Sequence, residues 1–269
     1  MLDRHECYEL CVQSPRHVVA LLRGIHGNLP TRLREDFCGT AAVGIRWCAE
    51  ADARGEAASA VGVDLDPTCL ERAKRHAQAA GVLDRMTLRL ADALSPTAGD
   101  EPADVVFVGN FSIGYIHERR DLVAYLTRCH ARLRRGQGGF GGGVFVCDLY
   151  GGASAFRLGG LERRHPGRRG ETIHYAWSHD RADPRTGMVE NSISFRVEFG
   201  GEIVAEHPRA FVYRWRLWSL PELRDAMLEA GFARSAVFTD LNPAPGVPPT
   251  PAEQLPEDFI VAVAAYTEA

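Results

Sequence analysis

Short apolar runs alternate with segments of helical periodicity from about residue 30 to residue 150, and this alternation limits the fold more than any other feature. It is typical of βαβ units, in which parallel strands build one sheet and the connecting helices cover its two faces. We predict a doubly wound, mostly parallel α/β sheet. Its first five strands are expected at Arg32–Phe37, Ala60–Leu65, Met86–Ala91, Asp104–Gly109 and Val144–Leu149.

Turn-forming residues mark the boundaries between these segments. Helices are expected over Pro67–Ala80 and Arg119–Leu133, and a glycine-rich loop from Gly136 to Gly143 follows the second helix. A later proline-rich segment, Leu241–Pro256, is expected to be a stiff connector.

The pattern changes after Tyr150. Residues 151–170 are rich in glycine and arginine and predict a mobile loop. Three segments of alternating polarity follow, with turn residues between them, which predicts a three-stranded antiparallel insertion. These segments are Glu171–Asp180, Met188–Phe199 and Glu202–Trp215.

The last part of the chain returns to the α/β pattern. A capping sequence at Ser219–Glu222 starts a helix over 220–230, and the strands Ala236–Thr239 and Asp258–Tyr266 suit a hairpin at a sheet edge. We therefore expect seven strands with an antiparallel last strand. The expected α/β domain comprises residues 1–150 and 216–269, with residues 1–30 as a helical lid, and residues 151–215 form an inserted cap.

Charge and cysteine content narrow the functional classes. A formal net charge of −4 argues against a broad basic face for nucleic acid. No apolar stretch approaches the ~20 residues of a membrane span, and the first residues do not form a signal peptide. Seven cysteines without C-x-x-C spacing predict reduced thiols and a cytoplasmic location. Cys7 and Cys11 lack a partner pair for a metal, so no metal site is predicted.

The segment from Leu33 to Ala42 lies where the first strand passes into a helix. In a doubly wound sheet, ligands bind in the crevice at the carboxyl ends of the strands. Small residues there let the backbone approach a ligand, and the acidic strand end suits a cationic amine. A phosphate cradle would need several glycines and a basic residue, but the segment contains neither a G-x-G-x-x-G run nor a lysine.

Polar groups also end the next three strands. Asp64 ends the second strand, where a carboxylate can accept hydrogen bonds from both ribose hydroxyls. Asp92 follows the third strand and could accept from an adenine amino group, while the Ala93 N–H donates to a ring nitrogen. Asn110 follows the fourth strand. Together these predict an adenosyl ligand; the alternative is that Asp64, Asp66 and Asp92 only cap helices.

In these features the sequence resembles the class I S-adenosylmethionine-dependent methyltransferases, which have a Rossmann-like sheet. In that family an acidic-x-Gly-x-Gly-x-Gly loop holds the cofactor. Aligned on Cys38-Gly39-Thr40, Glu35 takes the acidic position and Gly39 the central glycine, whereas Phe37 and Ala41 replace the outer two. The resemblance implies S-adenosylmethionine as the cofactor. The residues it implies for cofactor binding are Tyr8, Glu35, Cys38, Gly39, Thr40, Ala41, Asp64, Leu65, Asp92, Ala93, Asn110 and Phe111.

Two further segments resemble small-molecule methyltransferases. Gly109–Ser112 with Tyr115 is similar to the loop after strand four in the glycine and sarcosine N-methyltransferase group. The opening residues, from Tyr8 to Pro15, are similar to the lid helices of such enzymes.

The chemistry asks mainly for alignment of the acceptor, because the sulfonium methyl is already activated. A base is needed only where the acceptor is protonated near neutral pH. Tyr115 and His117 are the catalytic candidates, although aromatic side chains more often serve packing. Other residues that could line a substrate site are Tyr150, His174, Tyr175, Trp177, Tyr213 and Arg214.

The sequence therefore predicts a methyltransferase acting on oxygen or nitrogen of a small molecule, with no nucleic-acid or membrane partner. Self-association is left open. Three alternatives remain: a non-catalytic module that binds the same cofactor, a nucleic acid methyltransferase, and a nicotinamide-dependent oxidoreductase.

Overall fold

A computed structural model describes residues 1–27, 29–96, 101–136, 142–239, 249–251 and 254–268. The chain forms two units. The α/β unit comprises Pro15–Tyr150 and Trp218–Ala269, and the β-meander unit comprises Met1–Ser14 and Gly151–Leu217. The expected lid of residues 1–30 is thus divided between the two units. Most of the expected Gly136–Gly143 loop, and most of the Leu241–Pro256 connector, lies outside the described residues.

The helices and strands follow each other as the sequence pattern predicts for most of the chain. The helices are α1 (Arg4–Cys11), α2 (Pro15–His26), α3 (Ala42–Asp52), α4 (Pro67–Ala79), α5 (Arg119–Arg132) and α6 (Leu220–Glu229). The strands are β1 (Arg32–Asp36), β2 (Ser59–Asp64), β3 (Met86–Leu90), β4 (Val105–Val108), β5 (Val144–Gly152), β6 (Gly159–Pro166), β7 (Thr172–Asp183), β8 (Met188–Phe199), β9 (Glu202–Arg216), β10 (Arg234–Phe238) and β11 (Asp258–Tyr266).

Side-chain caps start three of these helices, and Asp3 with Glu6 forms the capping box of α1. Asp66 begins α4 by accepting a hydrogen bond from the Thr68 N–H at 2.8 Å. Ser219 and Glu222 form the predicted capping box of α6. Within the described ranges, no helix is both long and apolar enough to cross a membrane.

The α/β unit holds a seven-stranded sheet in the order β10-β11-β5-β4-β1-β2-β3. β1 lies between β2 and β4 and is parallel to both, so that Asp36 pairs with Val63 on one side and Val108 on the other. β10 and β11 are antiparallel. The predicted mostly parallel sheet with an antiparallel last strand is therefore confirmed.

Alternate residues of the central strands pack in two hydrophobic cores, one on each face of the sheet. Val106 and Val108 pack in the cluster that contains Leu126 of α5, whereas Val105 and Phe107 pack in the cluster that contains Trp47 of α3. The helix after β1 and the helix after β4 thus cover opposite faces of the sheet. Such a reversal opens a crevice between the carboxyl ends of the two strands, where ligands bind in sheets of this type.

The β-meander unit is an antiparallel sheet in the order β6-β7-β8-β9, and α1 packs on it. Leu2 and Cys7 share a buried cluster with Ile173, Ile193 and Phe195. Within this unit the strands β7, β8 and β9 correspond to the three alternating segments of the sequence.

The prediction of a three-stranded insertion is wrong, because β6 adds a fourth strand within the expected mobile loop. It pairs with β7 from Gly159 opposite His179 to Pro166 opposite Thr172. All of its residues except His165 are exposed, so the sequence has no alternation of apolar and polar residues that would predict this strand. Its charged residues Glu162 and Arg163 suit an edge strand, which charges protect from further pairing.

Candidate active site

Strained backbone concentrates at the carboxyl ends of β1 and β4. Among the described residues, the non-glycine residues with positive φ are Phe37 (56°), Ala41 (52°), Asn110 (54°), Phe111 (59°) and Arg209 (45°). Four of these five lie in the loops that follow β1 and β4. Such conformations cost about 1–3 kcal/mol each and cluster at ligand sites. The backbone therefore marks the same crevice that the polar strand ends predict.

The loop between β1 and α3 lies against β2. The Cys38 N–H donates to the Val63 carbonyl oxygen at 3.0 Å, and Cys38 is buried. A Cβ at Gly62 would lie 3.0 Å from the Cys38 sulfur, so glycine at this position of β2 permits the close approach. Ala41 ends the loop and begins α3 without a side-chain cap.

Glu35 of β1 takes the place of the missing N-terminal cap of α3. Its Oε2 accepts a hydrogen bond from the Gly44 N–H at 2.8 Å, and the side chain is buried. Burial raises the pKa of Glu35 to about 8, although hydrogen bonds from the Gly44 and Val43 N–H groups oppose the shift. The carboxyl thus serves the N-terminus of α3, and its contact with a cofactor amine stays a prediction.

Asp64 joins the end of β2 to the loop after β1. Its Oδ2 accepts from the Gly39 N–H at 2.7 Å, and its Oδ1 accepts from the Asp66 N–H at 2.9 Å. The structure therefore brings Asp64 and the Cys38–Ala41 loop together. Leu65, the next residue, is 66% exposed, which presents an apolar surface beside the carboxylate.

The end of β3 lies next to the end of β2, because the Ala91 N–H donates to the Asp64 carbonyl oxygen at 3.0 Å. Asp92 Oδ1 accepts from the Leu94 N–H at 2.9 Å, and Ala93 is buried. Leu90 is 62% exposed. The two carboxylates and the two exposed leucines thus offer polar and apolar groups of the kind that a ribose and a flat base require.

The residues fit an adenosyl amino acid. The Thr40 hydroxyl is buried and has no hydrogen-bond partner among the described residues. Buried polar atoms normally have a partner, so an orphaned hydroxyl in a strained loop indicates a polar ligand. Asp64 would hold the ribose, Asp92 and Ala93 the adenine, and Thr40 with its neighbours the amino acid part.

Asp148 of β5 fixes the loop after β4. Its Oδ2 accepts from the Asn110 N–H at 2.8 Å, and its Oδ1 accepts from the Phe111 N–H at 2.6 Å. Burial raises the pKa of this carboxyl to about 7. The Phe111 ring also packs edge-on against Tyr150, with ring centres 4.8 Å apart. Both predicted cofactor residues of this loop are therefore held by β5.

The two catalytic candidates follow in the same loop. Tyr115 ends a short 3₁₀ turn, is 41% exposed, and stacks on Phe37 with ring centres 6.2 Å apart. His117 is exposed, and between them the Ile116 carbonyl oxygen accepts from the Trp218 indole N–H at 3.1 Å. The Tyr115–Phe37 contact joins the loop after β4 to the loop after β1.

A buried polar trio lies under this crevice. Asp36 Oδ1 accepts from Arg34 Nε at 2.8 Å, and Asp36 Oδ2 accepts from the Tyr125 hydroxyl at 2.8 Å. All three side chains are buried. Burial raises the pKa of Asp36, while Arg34 lowers it. The Tyr125 ring contacts Phe37 edge-on, so the trio supports the strained residue after β1.

Tyr8 lies in the other unit, unlike the remaining cofactor candidates. Within the β-meander unit its ring packs on Phe211 with centres 4.9 Å apart. On the same sheet, Trp177, Tyr213 and Trp215 stack on one another at 4.5–6.0 Å between ring centres.

Sequence reasoning missed Asp148 and the Arg34–Asp36–Tyr125 trio. A signal for each was present, because charged residues are rarely buried unless they are paired. Asp148 interrupts the apolar run Val144–Leu149, and Arg34 and Asp36 alternate on a strand that must be central to the sheet. These positions could have been marked as charged residues inside the sheet that need structural or functional partners.

Comparison with known proteins agrees with the predicted class of enzyme. Residues 37–136 match the family model described as a methyltransferase domain. By sequence, the chain matches none of the curated proteins.

Three solved structures share the fold over nearly the whole chain. One is an S-adenosylmethionine-dependent methyltransferase from Clostridium acetobutylicum ATCC 824, 14% identical, with a TM-score of 0.69 over 98% of each chain. The sugar N-methyltransferase KedS8 from Streptoalloteichus sp ATCC 53650 is 16% identical, with a TM-score of 0.68 over 100% of this chain and 94% of that chain. The amino pentose methyltransferase CalS10 from Micromonospora echinaspora is 19% identical, with a TM-score of 0.65 over 99% of this chain and 98% of that chain.

The strand order and the polar strand ends define the Rossmann-like class of adenosyl-binding sheets. The domain match is narrower: residues 37–136 match a methyltransferase domain, which confirms the predicted enzyme class, an S-adenosylmethionine-dependent methyltransferase, and its cofactor. The domain match favours a methyltransferase over a nicotinamide-dependent oxidoreductase.

Proposed function

We propose that the enzyme transfers the methyl group to the nitrogen or oxygen of a small-molecule acceptor. The observation that carries this proposal is the stacking of Tyr115 on Phe37. It joins the loop that carries both catalytic candidates to the loop beside the predicted cofactor residues. An acceptor held by the first loop would therefore lie near a methyl group held by the second.

S-adenosylmethionine, when bound, supplies a methyl group activated by a sulfonium. The chain's own residues then bind and orient. The Asp64 carboxylate would accept hydrogen bonds from the ribose hydroxyls, and Asp92 with Ala93 would hold the adenine. Tyr115 and His117 orient the acceptor atom and accept its proton where it carries one, since alignment supplies most of the rate enhancement in such a reaction.

An amino sugar is the first acceptor class to test. Two structures with this fold are described as a sugar N-methyltransferase and an amino pentose methyltransferase. The stacked and partly exposed rings of Trp177 and Tyr213 support the same class, because aromatic faces pack well on the apolar side of a sugar ring.

The test compares amino sugars with matched sugars that carry a hydroxyl in place of the amine. Formation of S-adenosylhomocysteine and mass spectrometry of the acceptor report turnover and the atom methylated. N-methylation requires turnover with the amine alone, whereas turnover of both members of a pair indicates oxygen as the acceptor. Methylation of DNA or RNA, with no turnover of any small molecule, contradicts the proposal.

Two further predictions stand beside this function. A cytoplasmic location is supported by the seven cysteines, all of which are free thiols. Self-association is tested by light scattering of the purified chain.

A further inference from the structure

The partly buried carboxyl of Asp148 has no role in the proposed chemistry, yet it lies against the predicted site. Each of its two oxygens accepts one backbone N–H, and the two donors are the consecutive residues Asn110 and Phe111. A carboxylate that accepts two N–H groups at 2.6 and 2.8 Å fixes both the position and the orientation of the peptide between them.

That peptide needs such support. Asn110 and Phe111 both have positive φ, which L side chains rarely adopt, and neither is glycine. Two consecutive residues of this kind return to an ordinary conformation unless their surroundings hold them. In the described structure, β5 supplies contacts that hold them, namely the Asp148 carboxylate and the Tyr150 ring.

The strained pair determines the path of the residues that follow. The Gly114 N–H donates to the Phe111 carbonyl oxygen at 2.9 Å, which begins the turn that ends at Tyr115. Tyr115 then stacks on Phe37 in the loop after β1. A change at Asn110 and Phe111 therefore propagates to both loops of the crevice.

We propose that Asp148 is a positioning residue: it holds Asn110 and Phe111 in the left-handed conformation in which their loop receives the cofactor. The inference rests on the cofactor and on the predicted roles of Asn110 and Phe111, and it does not depend on which acceptor is used. It therefore stands or fails separately from the proposed function.

The test is the binding of S-adenosylmethionine to Asp148→Asn, measured by calorimetry without an acceptor. Asparagine keeps one acceptor oxygen but turns an NH₂ donor toward the second backbone N–H. We expect the Kd to rise by about tenfold or more, because a hydrogen bond to a charged group is lost and a donor is left unpaired. Amide exchange at Asn110 and Phe111 is expected to become faster in the same variant.

The matched control is Val146→Ala, which removes a fully buried side chain from the same strand. It destabilises the core but is expected to change the Kd by less than about twofold and to leave amide exchange in the loop unchanged. Equal weakening of binding in both variants, or unchanged binding in Asp148→Asn, overturns the proposal. If Asp148→Asn does not fold, amide exchange in the wild type decides: unprotected N–H groups at Asn110 and Phe111 contradict the inference.

Discussion

Replacing Asp36 by asparagine tests whether the buried trio under the crevice is a paired unit. Asp36 is fully buried, and its two oxygens accept from Arg34 and from Tyr125. The substitution removes the charge with which the buried Arg34 guanidinium pairs at 2.8 Å. Breaking a buried ion pair in this way costs about 3–5 kcal/mol of unfolding free energy. Tyr125→Phe removes one hydrogen bond to a charged group and is expected to cost less, about 1.5–3 kcal/mol.

Urea unfolding followed by circular dichroism measures both losses in the transition of the α/β unit. The double variant is expected to lose less than the sum of the two single losses, because the second substitution removes a bond that the first has already weakened. Arg119→Ala is the control, since it removes the pair with Glu229, whose side chains are about half exposed. No measurable change in the urea midpoint is expected there. A loss below about 1 kcal/mol for Asp36→Asn, or strict additivity with Tyr125→Phe, refutes the paired unit.

Two further predictions concern the other carboxyls of the site. Asp64→Asn is expected to weaken S-adenosylmethionine binding by about 10- to 100-fold in calorimetry, because a ribose hydroxyl loses a charged acceptor. Glu35→Gln is expected to flatten the dependence of melting temperature on pH. The folded state holds the Glu35 proton more tightly than the unfolded chain, so this carboxyl lowers wild-type stability as the pH rises from about 4.5 to about 8.

Each of these has a matched comparison. Asp66→Asn changes the same charge two residues away at the cap of α4, and it is expected to leave cofactor affinity near that of the wild type; equal weakening in the two variants contradicts the role of Asp64. For Glu35→Gln, a plot of melting temperature against pH that stays parallel to that of the wild type across this range contradicts the raised pKa of Glu35. Asp148 titrates in the same range, and its contribution is common to both proteins.

Most of the α/β unit could be predicted from the sequence, because each element carries a local signal. The β2–α4 boundary is an example: an apolar run ends at Asp64, and Asp66 with Pro67 starts a helix in the structure as the pattern indicates. The polar strand ends of β1, β2 and β3 likewise meet at one edge, since parallel strands place their carboxyl ends together.

The elements that sequence reasoning missed depend on partners far along the chain. β6 forms only because β7 lies beside it, and its own residues are glycine, arginine and other exposed types. Asp148 accepts hydrogen bonds from Asn110 and Phe111, which lie 38 and 37 positions earlier in the chain. Its role is therefore not visible in the residues next to it. Asp36 meets Tyr125 across 89 positions. Such contacts require the sheet order, which periodicity alone does not supply.

The position of β11 has a consequence for biosynthesis. This last strand of the sequence lies between β5 and β10, and residues Val261–Ala265 are buried in the sheet. Until the ribosome has released that stretch, β5 presents an unpaired apolar edge, and β10 has no neighbour to pair with. The seven-stranded sheet is thus completed only after β11 has left the ribosome, and a chain truncated before β11 exposes an unpaired strand edge of the kind that chaperones bind.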